Sequence, residues 1–351
     1  MNSQLIVDMT CPIPFTTSET VLLGHGSGGK LSTDLMRDVF MPALGNPVLA
    51  RLNDQAVVQV GDSKIAMSTD SFVIKPLFFP GGDIGSLAVH GTVNDLAVGG
   101  ARPLFLSAAF LIEEGFSMDS LRRVVASMRR AADESGVTII TGDTKVVEKG
   151  KGDGLFINTT GIGMVPRGIE LSADRARPGD VILLSGSIGE HGIAILAQRE
   201  GLEFESGIES DSAPLHGLCA EILWASTQIR CMRDLTRGGL SSAANEIATQ
   251  SNVGIELYEG AIPVREEVRG ACEMLGLDPL YVANEGKLIA IVAPDVAEDV
   301  LRAMRNHPRG LQAAIIGRVT DSLPGLVTMK TSLGTVRIVD MLAGDQLPRI
   351  C

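Results

Sequence analysis

At 351 residues the chain is too long for one average domain, and 45% hydrophobic with 21% charged residues is ordinary for a packed protein. The formal charge of −12 argues against binding to nucleic acid or an anionic membrane, which needs a basic stripe. The sequence contains no apolar run of about 18 residues, which argues against a helix that crosses a membrane. The five cysteines are odd in number and lack CxxC spacing, which indicates free thiols in a reducing cytoplasm.

Strand-like and helix-like segments alternate along the chain. The β-branched runs "SKIAMSTD" and "VTIITGD" predict strands at residues 63–70 and 137–143. Between them, "SMDSLRRVVASMRRAADESG" places its apolar residues on one face, which predicts a helix that ends at Gly136. A second series follows, with strands in "DVILL" and "KLIAIVA" and helices in "EHGIAILAQ", "RGGLSSAANEIATQ" and "DVAEDVLRAMRNH".

The polar segment "MVPRGIELSADRARPGD" carries two prolines and predicts a domain boundary near residues 166–178. We expect an α+β protein with interleaved strands and helices in two domains. The predicted parts are an N-terminal extension at 1–20, domains at 21–166 and 167–343, and a tail at 344–351. The tail, "GDQLPRIC", carries Cys351 at its end and is expected to be mobile.

Polar residues interrupt this pattern at six places, each next to a predicted strand or helix end. The first, "LLGHGSGGKLS", resembles a P-loop, but Leu31 stands where Ser or Thr would hold magnesium. Its glycines, Gly28 and Gly29, and Lys30 could instead wrap phosphate groups through backbone N–H groups. A flexible turn before a helix explains the spacing equally well.

Acidic residues mark the next two places. Asp54 and Asp70 follow consecutive strand-like runs, where an Asp is more often a turn former than a ligand. His90, Asn94 and Asp95 lie in "SLAVHGTVNDLAVGG", a helix apolar on most faces and therefore buried. Buried polar groups need partners, so a satisfied core histidine competes with a binding role, which the adjacent Asn–Asp pair favours.

The remaining places follow strands of both halves. In "TGDTK" the apolar strand ends in the residues Gly142, Asp143, Thr144 and Lys145, where ligands gather in α/β folds. The motif "RDLTRGGL" precedes a predicted helix with the residues Asp234, Thr236, Arg237 and Gly238. The N-terminus of this helix would favour an anion, but a helix capped by Asp explains the pattern about equally well. Glu285 in "VANEGKL" adjoins an apolar strand and needs a lysine or a metal ion as partner.

Together these places favour one chemistry. Hard oxygen ligands without a matching His or Cys set suit magnesium held through a nucleotide's phosphates. The predicted magnesium ligands are Asp54, Asp70, Asp95 and Asp143. The sequence therefore predicts an ATP-using enzyme that lacks a P-loop.

The same motifs, "HGSGGK", "STDSFVI", "GTVNDLAVGGARP", "TGDTKVV", "DLTRGGL" and "ANEGKL", occur in order in the aminoimidazole-ribonucleotide-synthetase-like (PurM-like) ATP-binding superfamily, which the chain resembles from about residue 22 to its end. Within it, "FFPGG", "VANEGKL" and the ending "PRIC" are similar to the branch that matures nickel–iron hydrogenases. The resemblance implies a homodimer in which the two N-terminal domains share a β-barrel, with ATP bound near the domain and subunit interfaces.

The resemblance also implies a reaction and partners. A HypF carbamoyltransferase would load a carbamoyl group onto Cys351, ATP would drive its dehydration to a thiocyanate, and cyanide would pass to iron on a HypC–HypD scaffold. Glu285 and Lys145 are the candidates for moving the nitrogen proton and placing the substrate. A selenophosphate-synthetase-like enzyme is disfavoured because Ser27 stands where that loop carries a thiol. A non-catalytic thiol carrier would not need the carboxylates.

Overall fold

The computed structural model describes residues 20–202 and 207–342, in two mixed sheets with helices packed on them. The predicted extension and tail therefore lie outside the described residues, apart from Thr20. In the described part, a 3-10 turn at Leu23–Gly26 precedes the short helices α1 and α2, at Lys30–Leu35 and Met41–Leu44, which are joined by a π-helical turn at Met36–Phe40. None of the helices in the described ranges is both long and apolar enough to cross a membrane.

The first sheet contains five strands in the order β1-β2-β7-β5-β6, with β5 and β6 parallel and the other pairs antiparallel. These are β1 Ala56–Val60, β2 Ser63–Phe72, β5 Arg102–Glu113, β6 Thr138–Val147 and β7 Leu155–Val165. A two-stranded ribbon precedes the first long helix, formed by β3 Phe78–Phe79 and β4 Gly82–Asp83. The strands predicted at 63–70 and 137–143 are confirmed.

Two helices cover one face of this sheet, α3 at Ile84–Val98 and α4 at Met118–Glu134. Asp83 caps α3 by accepting hydrogen bonds from Gly85 N at 2.7 Å and Ser86 N at 3.1 Å. Nearly every residue of α3 is buried, as its apolar composition predicts, because α3 also packs against helix and strand of the second half.

The opposite face of the five-stranded sheet stays uncovered in the single chain. It carries apolar side chains that are 40% to 48% exposed: Met67, Phe105, Leu111, Ile162 and Met164. A contiguous apolar sheet face of this kind is typical of a protein–protein interface.

The second sheet has the order β14-β13-β10-β12-β8-β11-β9, parallel only between β10 and β13. Its strands are β8 Val181–Leu184, β9 Ile229–Asp234, β10 Gly254–Tyr258, β11 Leu288–Val292, β12 Ala314–Thr320, β13 Val327–Lys330 and β14 Val336–Ile338. The helices are α5 Glu190–Glu200, α6 His216–Ala225, α7 Gly239–Ser251, α8 Glu266–Leu275 and α9 Ala297–Asn306. The predicted helices and strands of this half are confirmed.

The two sheets separate between Val165 and Val181, and the exact boundary at 166–178 stays a prediction. The glycine loop, however, packs on the second half. Lys30 N donates to Leu342 O at 2.8 Å, and Arg233 Nη1 donates to Leu52 O at 3.1 Å. The segment before β1 therefore bridges the two halves and brings its glycines to their junction.

Candidate active site

Four carboxylates converge at the junction of the two halves. Asp54 precedes β1, Asp70 lies in β2, Asp95 lies in α3 and Asp234 ends β9. Burial raises the pKa of each of the four. Charge repulsion from other members of the group adds to the rise for Asp70, Asp95 and Asp234, whereas Arg233 lowers the pKa of Asp54. Like charges held this close in a buried place need a cation nearby to remain ionised.

Asp234 is the member of this group that fits a cation most clearly. Its Oδ2 is buried and has no hydrogen-bond partner among the described residues. In the same part of the chain, however, no three His, Cys, Asp or Glu side chains form a ready-made metal cage. This arrangement suits Mg²⁺, which is usually held by one or two carboxylates together with water and substrate phosphates.

Arg233 neutralises part of this charge, and its role was not foreseen from the sequence. Its Nε lies 3.3 Å from Asp54 Oδ1, and its Nη2 forms an ion pair with Glu246. The side chain is only 11% exposed. Arg233 thus holds Asp54 in place against β9. The signal for it was an arginine in a largely buried strand, directly before the "DLTRGG" motif.

The glycine loop lies directly against the carboxylates because its glycines lack side chains. A Cβ on Gly28, whose φ is +73°, would lie 2.7 Å from Arg237 Cβ. A Cβ on Gly29 would lie 2.2 Å from Leu342 O. Positions 28 and 29 therefore fit only as glycine, and the loop is packed against the second half at these two residues.

Arg237 and the start of α7 complete this side. Arg237 Nη2 lies 3.7 Å from Asp70 Oδ1, and its Nη1 donates to Gly26 O at 3.4 Å. Gly238 has a φ of +76° just before α7, whose N-terminal N–H groups favour an anion. A cavity of about 280 Å³ is lined by the loop, Asp54, Asp234, Thr236, Arg237 and an apolar wall.

His90 and Asn94, predicted to contact ATP, bond to the second half of the chain, although His90 Nε2 is buried without a hydrogen-bond partner among the described residues. His90 Nδ1 shares a hydrogen bond of 3.2 Å with Ser212 Oγ, and burial lowers its pKa to about 4. Asn94 Nδ2 donates to Ala213 O at 3.1 Å and Glu285 O at 3.3 Å, while its Oδ1 accepts from Leu215 N at 2.8 Å. With its side-chain oxygen and nitrogen used in this way, Asn94 ties α3 to the second half, and its contact with ATP stays a prediction.

The "TGDTK" residues Gly142, Asp143, Thr144 and Lys145 are not brought to the carboxylates within one chain. Asp70 pairs with Thr159, which pairs with Ala108, which pairs with Gly142. Three strand spacings, roughly 14 Å, therefore separate them across the sheet. Asp70 faces α3, whereas Lys145 lies in register with Leu111, on the uncovered face. Asp234 therefore joins the carboxylate group, and Asp143 lies apart from it.

Glu285 lies at the same junction and is 6% exposed. Burial raises its pKa well above the usual value, with further increases from Asp234, Asp211 and Asp70, while Arg237 lowers it. The lysine two residues on does not pair with it, because Lys287 Nζ contacts Asp211 and Glu190 instead. A buried carboxylate with a raised pKa is a stronger base than an ordinary one, which suits proton transfer.

Cys351 lies outside the described residues, which end at Leu342. Leu342, the last described residue, is held at the glycine loop by Lys30 N. The nine residues 343–351 reach at most roughly 31 Å when fully extended. The glycine loop that holds Leu342 also lines the cavity with Asp54 and Asp234, so the segment that carries Cys351 starts beside the site.

Comparison with known proteins agrees with this arrangement. Residues 52–165 match the AIR synthase related protein N-terminal domain, and residues 177–327 match the corresponding C-terminal domain. Carbamoyl dehydratase HypE of Azotobacter vinelandii is 60% identical over 332 residues, covering 95% of this chain and 97% of that protein.

Solved structures give the same result. A HypE in complex with ATP is 52% identical with a TM-score of 0.80, covering 95% of this chain and 100% of that one. A HypE–HypF complex matches at 50% identity and a TM-score of 0.84, covering 88% of this chain and 99% of that one. The fold and site thus define a two-domain protein of the AIR synthase related, ATP-binding class. Within this class, the chain belongs to the HypE family of carbamoyl dehydratases.

Proposed function

We propose that this chain uses ATP to dehydrate a carbamoyl group carried on Cys351, giving a thiocyanate that supplies cyanide to hydrogenase iron. The observation that carries the proposal is the meeting, at one junction, of the glycine loop, the carboxylates, Glu285 and Leu342, from which the Cys351 segment continues. The family membership favours this function over the selenophosphate-synthetase-like alternative.

The proposed reaction balances in two steps. The carbamoyl oxygen attacks the γ-phosphorus of ATP, ADP leaves, and the nitrogen loses its first proton, which gives an imino phosphate. The second nitrogen proton is then removed, the carbon–oxygen bond breaks, and phosphate departs with the bonding pair as S–C≡N forms. Glu285 is the proposed base for this proton, since its raised pKa strengthens its carboxylate.

ATP would lie with its phosphates between the glycine loop and the start of α7. Gly28 and Gly29 present backbone in close contact with the second half, and Lys30 is exposed beside them. Arg237, between Asp70 and the loop, offers positive charge to the same phosphates. Thr236 and Gly238 would add contacts at the helix N-terminus.

The carboxylates at the junction fit Mg²⁺. The partnerless Oδ2 of Asp234 is the strongest argument for a cation here. Asp70 and Asp95 lie within the same charged group, and Asp54 contributes through its pair with Arg233. Bound magnesium would neutralise the charge that develops on the phosphates during transfer.

A homodimer explains the remaining predicted residues. Two copies that pack their uncovered apolar faces would bury Met67, Leu111 and their neighbours in a shared barrel. Asp143 and Lys145 project from this same face. They would then serve the site of the partner subunit, since they cannot reach the carboxylates of their own chain.

Two further partners belong to the proposal. The solved HypE–HypF complex supports a HypF carbamoyltransferase as the donor of the carbamoyl group. A HypC–HypD complex would receive the cyanide. We expect neither nucleic acid nor membrane to be a partner, given the net charge of −12.

Phosphate release tests whether the thiol carries the substrate. In the presence of the carbamoyltransferase, carbamoyl phosphate and ATP, the wild-type chain is expected to release phosphate in step with carbamoylation. Cys351→Ala should bind ATP normally and lose this stimulated release, because no carbamoyl oxygen reaches the γ-phosphate. The mutation Cys272→Ala, at a buried cysteine of α8, serves as the control. Stimulated release that persists in Cys351→Ala would contradict the proposal.

A further inference from the structure

The side chain of Glu285 is buried, and hydrogen bonds fix its main chain. Glu285 N donates to Asp211 Oδ1 at 3.0 Å, and Glu285 O accepts from Ala213 N at 3.3 Å. Contact continues at the next residue, where a Cβ on Gly286 would lie 1.9 Å from Asp211 O. The direction in which the Glu285 carboxylate points therefore depends on the segment that contains Asp211.

Asp211 is itself fixed by a buried cation. Its Oδ2 lies 3.0 Å from Lys287 Nζ, and the two side chains are 4% and 14% exposed. Lys287 Nζ also lies 3.2 Å from Glu190 Oε2. Burial lowers the pKa of Lys287, but the carboxylates of Asp211 and Glu190 together raise it by more than burial lowers it. The lysine therefore stays charged. Each oxygen of Asp211 thus faces its own donor.

The same segment, residues 210–215, which we call the linking segment, is bonded to the N-terminal half. Ser210 N donates to Pro80 O at 2.8 Å. Asn94 bonds both Ala213 and Leu215, and His90 bonds Ser212. The position of Glu285 therefore depends on contacts that both halves of the protein make.

We propose that Asp211, held by Lys287, is a positioning residue for Glu285. Its carboxylate orients the peptide that carries the base, so that the Glu285 side chain faces the site. The inference rests on the proposed role of Glu285 as the base. Asp211 acts only through Glu285 and touches neither ATP nor the carbamoyl group.

An isosteric substitution tests this geometry. Asp211→Asn leaves one acceptor oxygen for two donors, Glu285 N and Lys287 Nζ, so one of the two hydrogen bonds is lost. We expect the single-turnover dehydration rate to fall about tenfold to a hundredfold, as for a displaced catalytic group. The affinity for ATP should change by less than about threefold, because the effect falls on the chemical step.

A second variant distinguishes positioning from general damage. In Asp211→Asn/Lys287→Gln, the amide oxygen at 211 can accept from Glu285 N, while its NH₂ donates to the oxygen of the introduced glutamine. The dehydration rate should recover to within a few-fold of the wild type. A double variant that stays as slow as the single one would overturn the proposal.

A matched control is Asp180, which lies directly before β8 and pairs with Arg230 of β9. Asp180 is also buried and also accepts from one backbone N–H and one cation, Arg177 N at 2.8 Å and Arg230 Nε at 3.3 Å. Asp180→Asn should lower the melting temperature comparably and leave the dehydration rate unchanged. Equal rate loss in both variants at equal melting loss would refute a positioning role, as would a wild-type rate in Asp211→Asn.

The assignment of Glu285 as the base is tested separately, by the dehydration rate of Glu285→Gln. Normal dehydration by Glu285→Gln would remove the base assignment and the positioning role that rests on it. Absence of dehydration by the wild-type chain would instead contradict the proposed function as a whole.

Discussion

Glu285→Gln is expected to accumulate the carbamoylated protein and to slow thiocyanate formation by about a hundredfold to ten-thousandfold, the usual contribution of a positioned base. Glutamine keeps the size and the hydrogen-bonding oxygen of Glu285 but cannot accept the nitrogen proton. The carbamoyl group should still be loaded, since that step belongs to the transferase. The measurement is the ratio of carbamoylated to cyanated C-terminal peptide over time.

The rate of the same reaction is expected to depend on pH. Burial raises the pKa of Glu285, so its carboxyl gains a proton at a higher pH than an exposed glutamate does. A protonated carboxyl cannot act as the base, and the wild-type rate should therefore fall as pH is lowered. Asp180→Asn offers a control at a buried carboxylate that lies outside both the carboxylate site and the contacts that hold Glu285. Cyanation of Glu285→Gln at the wild-type rate would remove Glu285 from the mechanism.

Mixing two inactive variants is expected to restore activity if the site is shared between subunits. Neither Glu285→Gln nor Lys145→Ala should cyanate its own tail as a homodimer. In a mixed dimer, one site combines the intact Glu285 of one chain with the intact Lys145 of the other. Random exchange of subunits should then recover about a quarter of the wild-type activity, because half of the dimers carry one intact site of two.

The reason lies in the position of β6 at the edge of the sheet. Lys145 faces away from α3, on the side that a second copy would cover, whereas Glu285 lies on the junction between the halves. Glu285→Gln mixed with Arg233→Ala is a suitable control, since both residues belong to one chain's site. No recovery in the Lys145→Ala mixture would place Lys145 outside the shared site or the dimer interface elsewhere.

Local patterns predicted much of the fold. The buried character of α3 follows from its apolar residues on nearly every face, and the amphipathic pattern of α4 gave both of its ends to within two residues. Of the quoted family motifs, "TGDTKVV" does not reach the junction within one chain, whereas the others contribute residues to it. Gly28 and Gly29 left a phosphate-binding loop and a flexible turn equally open in the sequence, and their close approach to Arg237 and Leu342 is seen only in the structure.

The strand order and the contacts between residues far apart in the chain could not be predicted from local sequence patterns. Asp143 and Asp70 both lie within strands, but the strand order that puts β6 at the edge is set by pairings across the whole domain. Asn94 was predicted to contact ATP, and no local pattern indicated its hydrogen bonds to Ala213 and Leu215, which lie more than a hundred residues away. Asp211 stood in a polar stretch without any motif, and only its contacts to Glu285 and Lys287 reveal a role.

The central claim is that Cys351 carries a carbamoyl group that this chain dehydrates. Mass spectrometry of the C-terminal peptide tests it most directly, in a reaction that contains the carbamoyltransferase, carbamoyl phosphate, ATP and Mg²⁺. The account predicts that the peptide first gains the mass of one carbamoyl group and then loses the mass of one water, with the second change dependent on ATP. A peptide of unchanged mass, or one that stays carbamoylated while ATP binds normally, would contradict it.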